Sequence, residues 1–528
     1  MKLKDMAIKD MNVKRSFYHS VILGVGFFAL CAGALQTVAH AEDFQQALVS
    51  AYQRNPLLQA ERARVREFDE NYVQAQAAGR FTLNADASLG RTYSDVSILG
   101  LAGPTDISST LTPRLGQLTL IQPLYQGGRV RGLKSQAKSG VLAARQGLRN
   151  TEQTVLLSAA TAYLDVLRDE EEARIRRNNV SVLIRQKLAA QDRFEVGEGT
   201  RTDVAQADAR LAASEIGLSQ ADARLAVSRA AYVRYMGHVP LALMAPPQYQ
   251  LPETLLAAQS RARANNPQLV ASRYNELTAQ AAISVAKSAH RPTLALNGSL
   301  QSSRNSSASV PRAKSASITA QLRIPIFTGG MNRSRVRAAQ HAKTRTMFET
   351  REAEQAIDET IANLWAQILA SELALEASQR QVAAAAIAFE GVELEQQVGT
   401  RNTLDVLDAE QELLNAKLTV VQAERNLNVT SYQLLAAMGG FDAYSLQLPV
   451  QQYDPQHNFN SVTKSPFEGF VPEPFRNAVN AVAPLSRKVA HDASGLVGGA
   501  DDSEAQNTNP FESDPAPELI LLEPKIQD

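Results

Sequence analysis

The chain is poor in cysteine and in aromatic residues, and it carries no net charge. It has one cysteine among 528 residues, aromatics make up 6% of positions, and 54 Lys and Arg balance 54 Asp and Glu. One thiol cannot form an intrachain disulfide or a cysteine cluster. The balanced charge gives no sign of the clustered basic face that nucleic-acid binding needs, so we expect no nucleic-acid partner.

Motifs for enzymatic chemistry are also missing from the sequence. There is no Walker-type phosphate loop and no His-Glu-x-x-His, and the histidines after the first 41 residues have no metal-ligand spacing (His238, His290, His341, His457 and His491). Asp405 and Asp408 could bind a cation, but two carboxylates alone do not make a catalytic site. We therefore expect no enzyme activity, no cofactor and no metal.

The N-terminus reads as a signal peptide spanning residues 1–41. Lys14 and Arg15 precede an apolar run at 21–35, and Ala39-His40-Ala41 forms a small-x-small cleavage site. A retained membrane anchor is the alternative, because the apolar run is almost long enough to span a bilayer. A lipoprotein acylated at Cys31 fits less well, since Leu30 stands where a small residue should precede the cysteine. Cleavage after Ala41 would leave a chain without a thiol.

The sequence repeats itself at a constant offset of about 202 residues. No gap is needed to align Pro123 with Pro325, Tyr163 with Trp365, Asp203 with Asp405, Leu211 with Leu413, and Gly237 with Gly439. Such a register indicates duplication. It predicts a first repeat at 42–240, a Pro-rich linker at 241–252 and a second repeat at 253–449. The tail at 450–528 is rich in Pro, Ser, Asn and acidic residues, so we expect disorder there, with 519–522 as a candidate docking peptide.

Each repeat begins with an Asn-Pro break followed by a strand pair. Residues 82–89 and 293–300 alternate between apolar and polar side chains, and a return strand follows a loop predicted at 91–112 or 301–314. A Pro-x-x-x-Gly-Gly exit ends each return strand, at 123–128 and 325–330, as a switch from strand to helix requires. The strands fit either a small hairpin on a soluble core or a membrane barrel.

Two very long helical hairpins are predicted after these exits. No proline lies between Pro123 and Pro240 or between Pro325 and Pro449, and both stretches are rich in good helix formers. A helix running from 128 to 194 would be about 100 Å long, far beyond the needs of an ordinary globular domain. Small and apolar residues recur at 3-4 spacing beyond the turn, which predicts a coiled-coil seam (Leu413, Ala416, Val420, Ala423 and Leu427).

These features together resemble the TolC-type outer-membrane efflux proteins over residues 42–449. The resemblance rests on the Asn-Pro openings, the Pro-x-x-x-Gly-Gly exits, Tyr-Leu-Asp-Val-Leu at 163–167, and Val-Gly-Thr-Arg with Leu-Asp-Val-Leu-Asp-Ala at 398–409. It implies a mixed α/β membrane protein: a trimer in which four strands per chain close a twelve-stranded β-barrel, continuous with a periplasmic α-helical tunnel. Four strands alone would leave open edges that a bilayer does not tolerate, so association is expected on physical grounds too.

The resemblance also implies a function and partners. The chain would be the outer-membrane exit duct of a tripartite efflux or type I secretion system. Its partners would be two further copies, outer-membrane lipid, a periplasmic adaptor and an inner-membrane pump of the RND or ABC type that supplies the energy. The tip turns would dock the adaptor (Val196, Gly197, Thr200, Arg201, Val398, Gly399 and Thr400). The alternative is a periplasmic or surface coiled-coil protein of structural function.

The second tip carries the candidate gate. Asp405 and Asp408 are three residues apart, so they share a helix face. By resemblance, such carboxylates form rings that constrict the periplasmic entrance, Arg401 helps to lock it, and Asp203 is a partner on another hairpin. A helix cap is the competing interpretation of Asp405, and ordinary solvation that of Asp408. Gln396 departs from the family pattern, which often has an aromatic residue at that position.

Overall fold

The computed structural model describes residues 42–101, 103–307, 309–464 and 524–525. The predicted signal peptide and the candidate docking peptide at 519–522 lie outside the described residues. Two similar series of elements follow one another along the chain, as the internal repeat predicts. The first contains α1 (Phe44–Arg54), α2 (Pro56–Ala77), β1 (Thr82–Leu89), β2 (Thr92–Gly100), β3 (Gly103–Leu111), β4 (Arg114–Gln126), α3 (Arg129–Glu195) and α4 (Arg201–Met236).

The second series repeats this order with one strand pair fewer. The short strand β5 (Gln248–Tyr249) precedes it, in the linker. The second series itself contains α5 (Leu255–Asn265), α6 (Pro267–Ser288), β6 (Thr293–Ser307), β7 (Val310–Arg323), α7 (Met331–Gln397) and α8 (Thr403–Ala437), and is followed by α9 (Pro455–Lys464) and β8 (Pro524–Lys525). In both series an asparagine side chain caps the helix that starts at the Asn-Pro break. Asn55 Oδ1 accepts from the amide of Leu57 at 2.9 Å, and Asn266 Oδ1 accepts from that of Gln268 at 2.9 Å.

Four strands form one antiparallel sheet in the order β1-β4-β6-β7. Its register places apolar side chains opposite one another, in rows that cross the sheet. One row consists of Ala85, Leu118, Leu300 and Ala316, and the polar row beside it of Asn84, Thr119, Ser299 and Ser317. Since successive side chains of a strand point to opposite faces, one face of the sheet is apolar and the other polar.

The polar segments predicted as loops are strands instead. Residues 92–100 and 103–111 pair as the β2–β3 hairpin, in which the hydroxyls of Ser94 and Ser109 are hydrogen-bonded at 2.9 Å. β6 and β7 also continue through most of 301–314. The prediction was wrong because it relied on apolar alternation, and a strand with polar side chains on both faces shows none. Backbone pairing and cross-strand hydroxyl contacts stabilise such a strand without it.

The Pro-Gly-Gly segments make the predicted switch from strand to helix. A bulge interrupts the pairing of β4 between Pro123 and Tyr125, and α3 and α7 begin just after Gly128 and Gly330, whose φ angles are 85° and 84°. Gly127 also has positive φ, and a Cβ atom there would lie 2.7 Å from Cβ of Arg291. Both the left-handed backbone and the close approach therefore require glycine.

The two long hairpins are confirmed. α3 and α7 each contain 67 residues, which corresponds to a length of about 100 Å. α4 returns along α3 from the first tip, and α8 returns along α7 from the second. The predicted seam of the second hairpin is buried at Ala416 and Ala423, and the first hairpin is buried at Leu211, Ala221 and Leu225, which match Leu413, Ala423 and Leu427 in the repeat. No helix in the described ranges has the length and apolarity needed to cross a membrane.

The main core lies where both repeats meet, far from the tips. The rings of Phe44 and Tyr163 stand edge to face at 5.3 Å, and Phe44 also lies 5.4 Å from Tyr432. The predicted linker packs onto this core, because the Tyr163 hydroxyl donates to the carbonyl of Met244 at 2.7 Å and to that of Glu42 at 3.0 Å. The linker is therefore part of the folded unit.

Helix α9 corrects the prediction of disorder over the first part of the tail. Its Asn458 donates to Asp69 of α2 at 2.8 Å, and its Phe459 ring lies 5.1 Å from that of Tyr72. These partners are nearly 400 residues away in the sequence. Local composition therefore suggested disorder, whereas tertiary contacts stabilise a helix.

Candidate functional site: the hairpin tips

The two tips share one backbone conformation. Gly197 and Gly399 have φ angles of 83° and 81°, which glycine adopts without strain. The amides of Glu198 and Thr400 then donate back to carbonyls of the preceding helix, Arg193 O at 2.8 Å and Glu395 O at 2.9 Å. The turn therefore requires glycine at this position in both repeats.

A capping box starts the returning helix at each tip. Thr200 Oγ1 accepts from the amide of Asp203 at 3.2 Å, and the Asp203 carboxylate accepts from the amide of Thr200 at 2.9 Å. Asn402 and Asp405 make the same reciprocal pair, at 2.8 and 3.4 Å. The helix-cap interpretation of Asp405 is therefore confirmed. The carboxylate still lies at the end of the hairpin and is partly exposed, so a gate role stays a prediction.

Arg401 is held at its own tip. Its Nε donates to Glu395 at 2.8 Å, and its Nη1 lies 3.9 Å from Asp405. The hydrogen bond to Glu395 raises the pKa of the Arg401 guanidinium. In the described part of one chain no ion pair joins Arg401 to Asp203, which is engaged in its own capping box. The lock between these two residues stays a prediction.

Asp408 has a partner that the sequence did not suggest. Arg210 of α4 donates to its carboxylate at 2.6 Å, so the bond links the first hairpin to the second. These residues are 198 positions apart, and no helical spacing rule relates them. Just above this pair, Leu183, Leu211 and Leu407 form a small apolar cluster of their own. Together these contacts join the two hairpins near the tips.

The predicted docking residues are all at the surface. Every one of them is exposed, and the two valines extend their side chains into solvent at the ends of the turns (Val196, Gly197, Thr200, Arg201, Val398, Gly399 and Thr400). A partner could reach both tips without rearrangement of the chain. Among the described residues, no three His, Cys, Asp or Glu side chains are grouped as a metal site.

Known proteins share both the sequence pattern and this fold. The family model described as outer membrane efflux protein matches residues 47–238 and 258–440. Outer membrane efflux protein BepC of Brucella suis biovar 1 is 33% identical over 437 residues, covering 82% of this chain and 93% of that protein. Outer membrane protein TolC of Vibrio cholerae is 26% identical over 427 residues, covering 78% of this chain and 94% of that protein.

A solved structure agrees with these sequence matches. The Campylobacter jejuni CmeC outer membrane channel superposes with a TM-score of 0.67 at 16% identity, covering 80% of this chain and 89% of that one. At that identity the match shows a shared fold. The family match extends over both repeats and contains both tips. This chain therefore belongs to the TolC-type outer membrane efflux protein family and is a protein of the outer membrane.

Proposed function

We propose that three copies of this chain form the outer-membrane exit duct of a tripartite efflux or type I secretion system. The observation that carries the proposal is the open sheet. β1 and β7 are its edges, and among the described residues of one chain each leaves one side of its backbone unpaired. Because exposed strand edges are not tolerated in hydrocarbon, copies of the chain would pair β1 with β7 and close a barrel, twelve-stranded for three chains.

The sheet faces suit a barrel in a membrane. Rows of leucine, alanine and isoleucine on one face would contact lipid, and rows of asparagine, serine, threonine and glutamine on the other would contact water. A soluble hairpin would instead bury its apolar face on the rest of the chain. Here Leu83, Leu300, Ile318 and Leu322 are exposed. The apolar face therefore has no partner within the part of the chain that the structure describes.

Helix α7 supports association in the same way. It carries exposed apolar side chains along its length, among them Leu373 at 67% and Ile387 at 73% exposure. In the duct these side chains would pack against a neighbouring copy, and six hairpins from three copies would enclose the helical tunnel. The tunnel would extend from the barrel into the periplasm, with the tips at its far end.

The tips would form the gate and the adaptor contact. Three copies of Asp405 and Asp408 would line the entrance with carboxylates, and Arg401 would lock it by pairing with Asp203 of a neighbouring hairpin. The exposed turn residues would receive a periplasmic adaptor. The duct itself needs no energy source, because an inner-membrane pump of the RND or ABC type would drive transport.

Membrane fractionation and channel recording test this proposal. We expect the full chain in the outer membrane as an oligomer that dissociates on heating, with chemical cross-linking stopping at three copies. In planar bilayers the purified oligomer should conduct ions. A soluble periplasmic rod without channel activity would instead support the coiled-coil structural protein. Co-purification from gently solubilised cells should recover an adaptor and a pump.

A further inference from the structure

A buried chain of polar side chains joins the two hairpins behind the tips. Ser214 of α4 donates to Asn179 Oδ1 of α3 at 2.5 Å, and Asn179 Nδ2 donates to Glu410 Oε1 of α8 at 3.0 Å. Glu410 is only 5% exposed and Asn179 only 8%. Three helices, two from the first hairpin and one from the second, are thus linked by one continuous set of hydrogen bonds.

Glu410 is incompletely satisfied in this position. Its second oxygen, Oε2, is buried and has no hydrogen-bond partner among the described residues. No Lys or Arg in the described ranges lies within ion-pair distance of it. The charged groups that act on it from the surrounding helices are Arg185 of α3, Glu393 of α7 and Lys417 of α8. On α4, Arg210 faces the same junction but is bound by Asp408.

Burial has a clear effect on this carboxyl. Desolvation raises the pKa of Glu410 to about 7, against the lowering effect of the Asn179 hydrogen bond. A glutamate in water has a pKa of about 4.3. The buried arrangement therefore favours the protonated form, which needs no counterion, and disfavours the ionised form, which water would stabilise.

Water has a short route to this group. Glu410 and Asn179 line a groove of about 650 Å³ between α3 and α8, with Val382 and Phe389 of α7 on its other side. Widening this groove would hydrate the carboxylate and would move α8 away from α3. Movement of α8 also moves Asp405 and Asp408, which lie in its first turns.

We propose that Glu410 is a proton-controlled latch between the two hairpins, closed when the carboxyl is protonated and released when it is ionised. The latch rests on the proposed function, because it would set how readily the tip opens. The sign follows from the two environments. Below the pKa of exposed glutamate the latch is fully effective, and its stabilisation of the closed junction is lost as the pH rises through about 7.

Spin-label distances inside a single chain test the latch. Ala213 of α4 and Gln411 of α8, both exposed, are each replaced by cysteine and labelled with a nitroxide. Each detergent-purified oligomer contains one labelled protomer. The 213–411 distance should be short at pH 5.5 and longer at pH 8.5, with a midpoint near 7. The Glu410→Gln variant keeps an acceptor for Asn179 but cannot ionise, so its distance should stay short at both pH values.

Two further variants complete the test. Glu412→Gln removes an exposed carboxylate two residues away and should titrate like the unsubstituted chain. Asn179→Ala removes the hydrogen bond that links α3 to Glu410, so the closed junction should be weaker and should open at lower pH than in the unsubstituted chain. A pH-independent distance in the unsubstituted chain, or an unchanged response in Glu410→Gln, would overturn the proposal. Because the distance is intrachain, these results do not depend on channel activity, whose absence in bilayers would count against the duct instead.

Discussion

The two longest helices, α3 and α7, correspond to each other in the repeat but differ in how much of their surface is buried. α3 and α7 have the same length, the same Gly-Gly start and the same turn at the end. α3 is buried at many positions because α1, α2, α4, α6 and α8 all pack against it. α7, against which α5, α6 and α8 pack, buries few residues (Asn332, Ile357, Ile361, Ile368, Ser378 and Ala385). Duplication thus supplied two similar helices, of which one is packed into the protomer and the other, on the proposed function, contacts a neighbouring copy.

The two hairpin tips share a backbone conformation but carry different side chains. In register, Gly199 of the first tip corresponds to Arg401, and Gln206 to Asp408. The charges of the candidate gate therefore belong to the second tip, and the first contributes Arg210, which binds Asp408 from α4. If the second hairpin carries the gate and the first one supports it, substitutions at matched positions should have unequal effects on conduction.

The largest effect should follow from a charge on the exposed face of α7. Leu373→Glu would place a carboxylate in the contact between copies, where an unpaired buried charge is very costly. We expect a more than tenfold loss of heat-dissociable oligomer on gels, with the helical content of the chain retained. Leu373→Met is the matched control and should assemble normally. Normal assembly of the glutamate variant would show that this face of α7 is not an interface.

A smaller effect, on stability, is expected from a substitution in the main core at Tyr163 of α3. Tyr163→Phe removes the hydroxyl that donates to Met244 O and to Glu42 O, in a side chain with 0% exposure. Glu42 O keeps the Met244 amide as a donor, so loss of the hydroxyl should lower the free energy of unfolding by up to about 1.5 kcal/mol. Thermal unfolding followed by circular dichroism measures the loss. Tyr444→Phe, at an exposed ring, should change stability by less than about 0.5 kcal/mol; equal losses would contradict the assigned role of the hydroxyl.

The smallest effect is expected from removing the capping side chains, and the loss of local stability should be equal at the two tips. Thr200→Ala and Asn402→Ala each remove the side-chain acceptor of a capping box, which should cost about 1 kcal/mol of local stability. Hydrogen exchange of the first turns of α4 and α8 reports this loss. A marked effect at one tip and none at the other would show that the shared backbone does not give the two turns the same stability.

The structural elements that could be predicted from the sequence are those whose patterns occur in both repeats. Proline-free stretches gave the long hairpins, alternation gave β1 and β6, and the constant offset paired the Gly-Gly exits and tip turns. The β2–β3 hairpin and α9 escaped prediction because cross-strand pairing and packing on α2 stabilise them. The Arg210–Asp408 pair and the Glu410 hydrogen bonds depend on distant residues. Only the position of Glu410 gave a signal, since Leu407, Glu410 and Leu414 follow the helical spacing of a buried face.

Single-channel recording of matched aspartate variants tests the gate most directly. Asp405 and Asp203 occupy the same capping-box position, so replacing either by asparagine perturbs a cap in the same way. We predict that Asp405→Asn combined with Asp408→Asn raises conductance and weakens cation preference, whereas Asp203→Asn leaves the cation preference unchanged. Unchanged conductance and selectivity in the double variant, or an equal loss of cation preference in Asp203→Asn, would contradict a carboxylate constriction at the second tip.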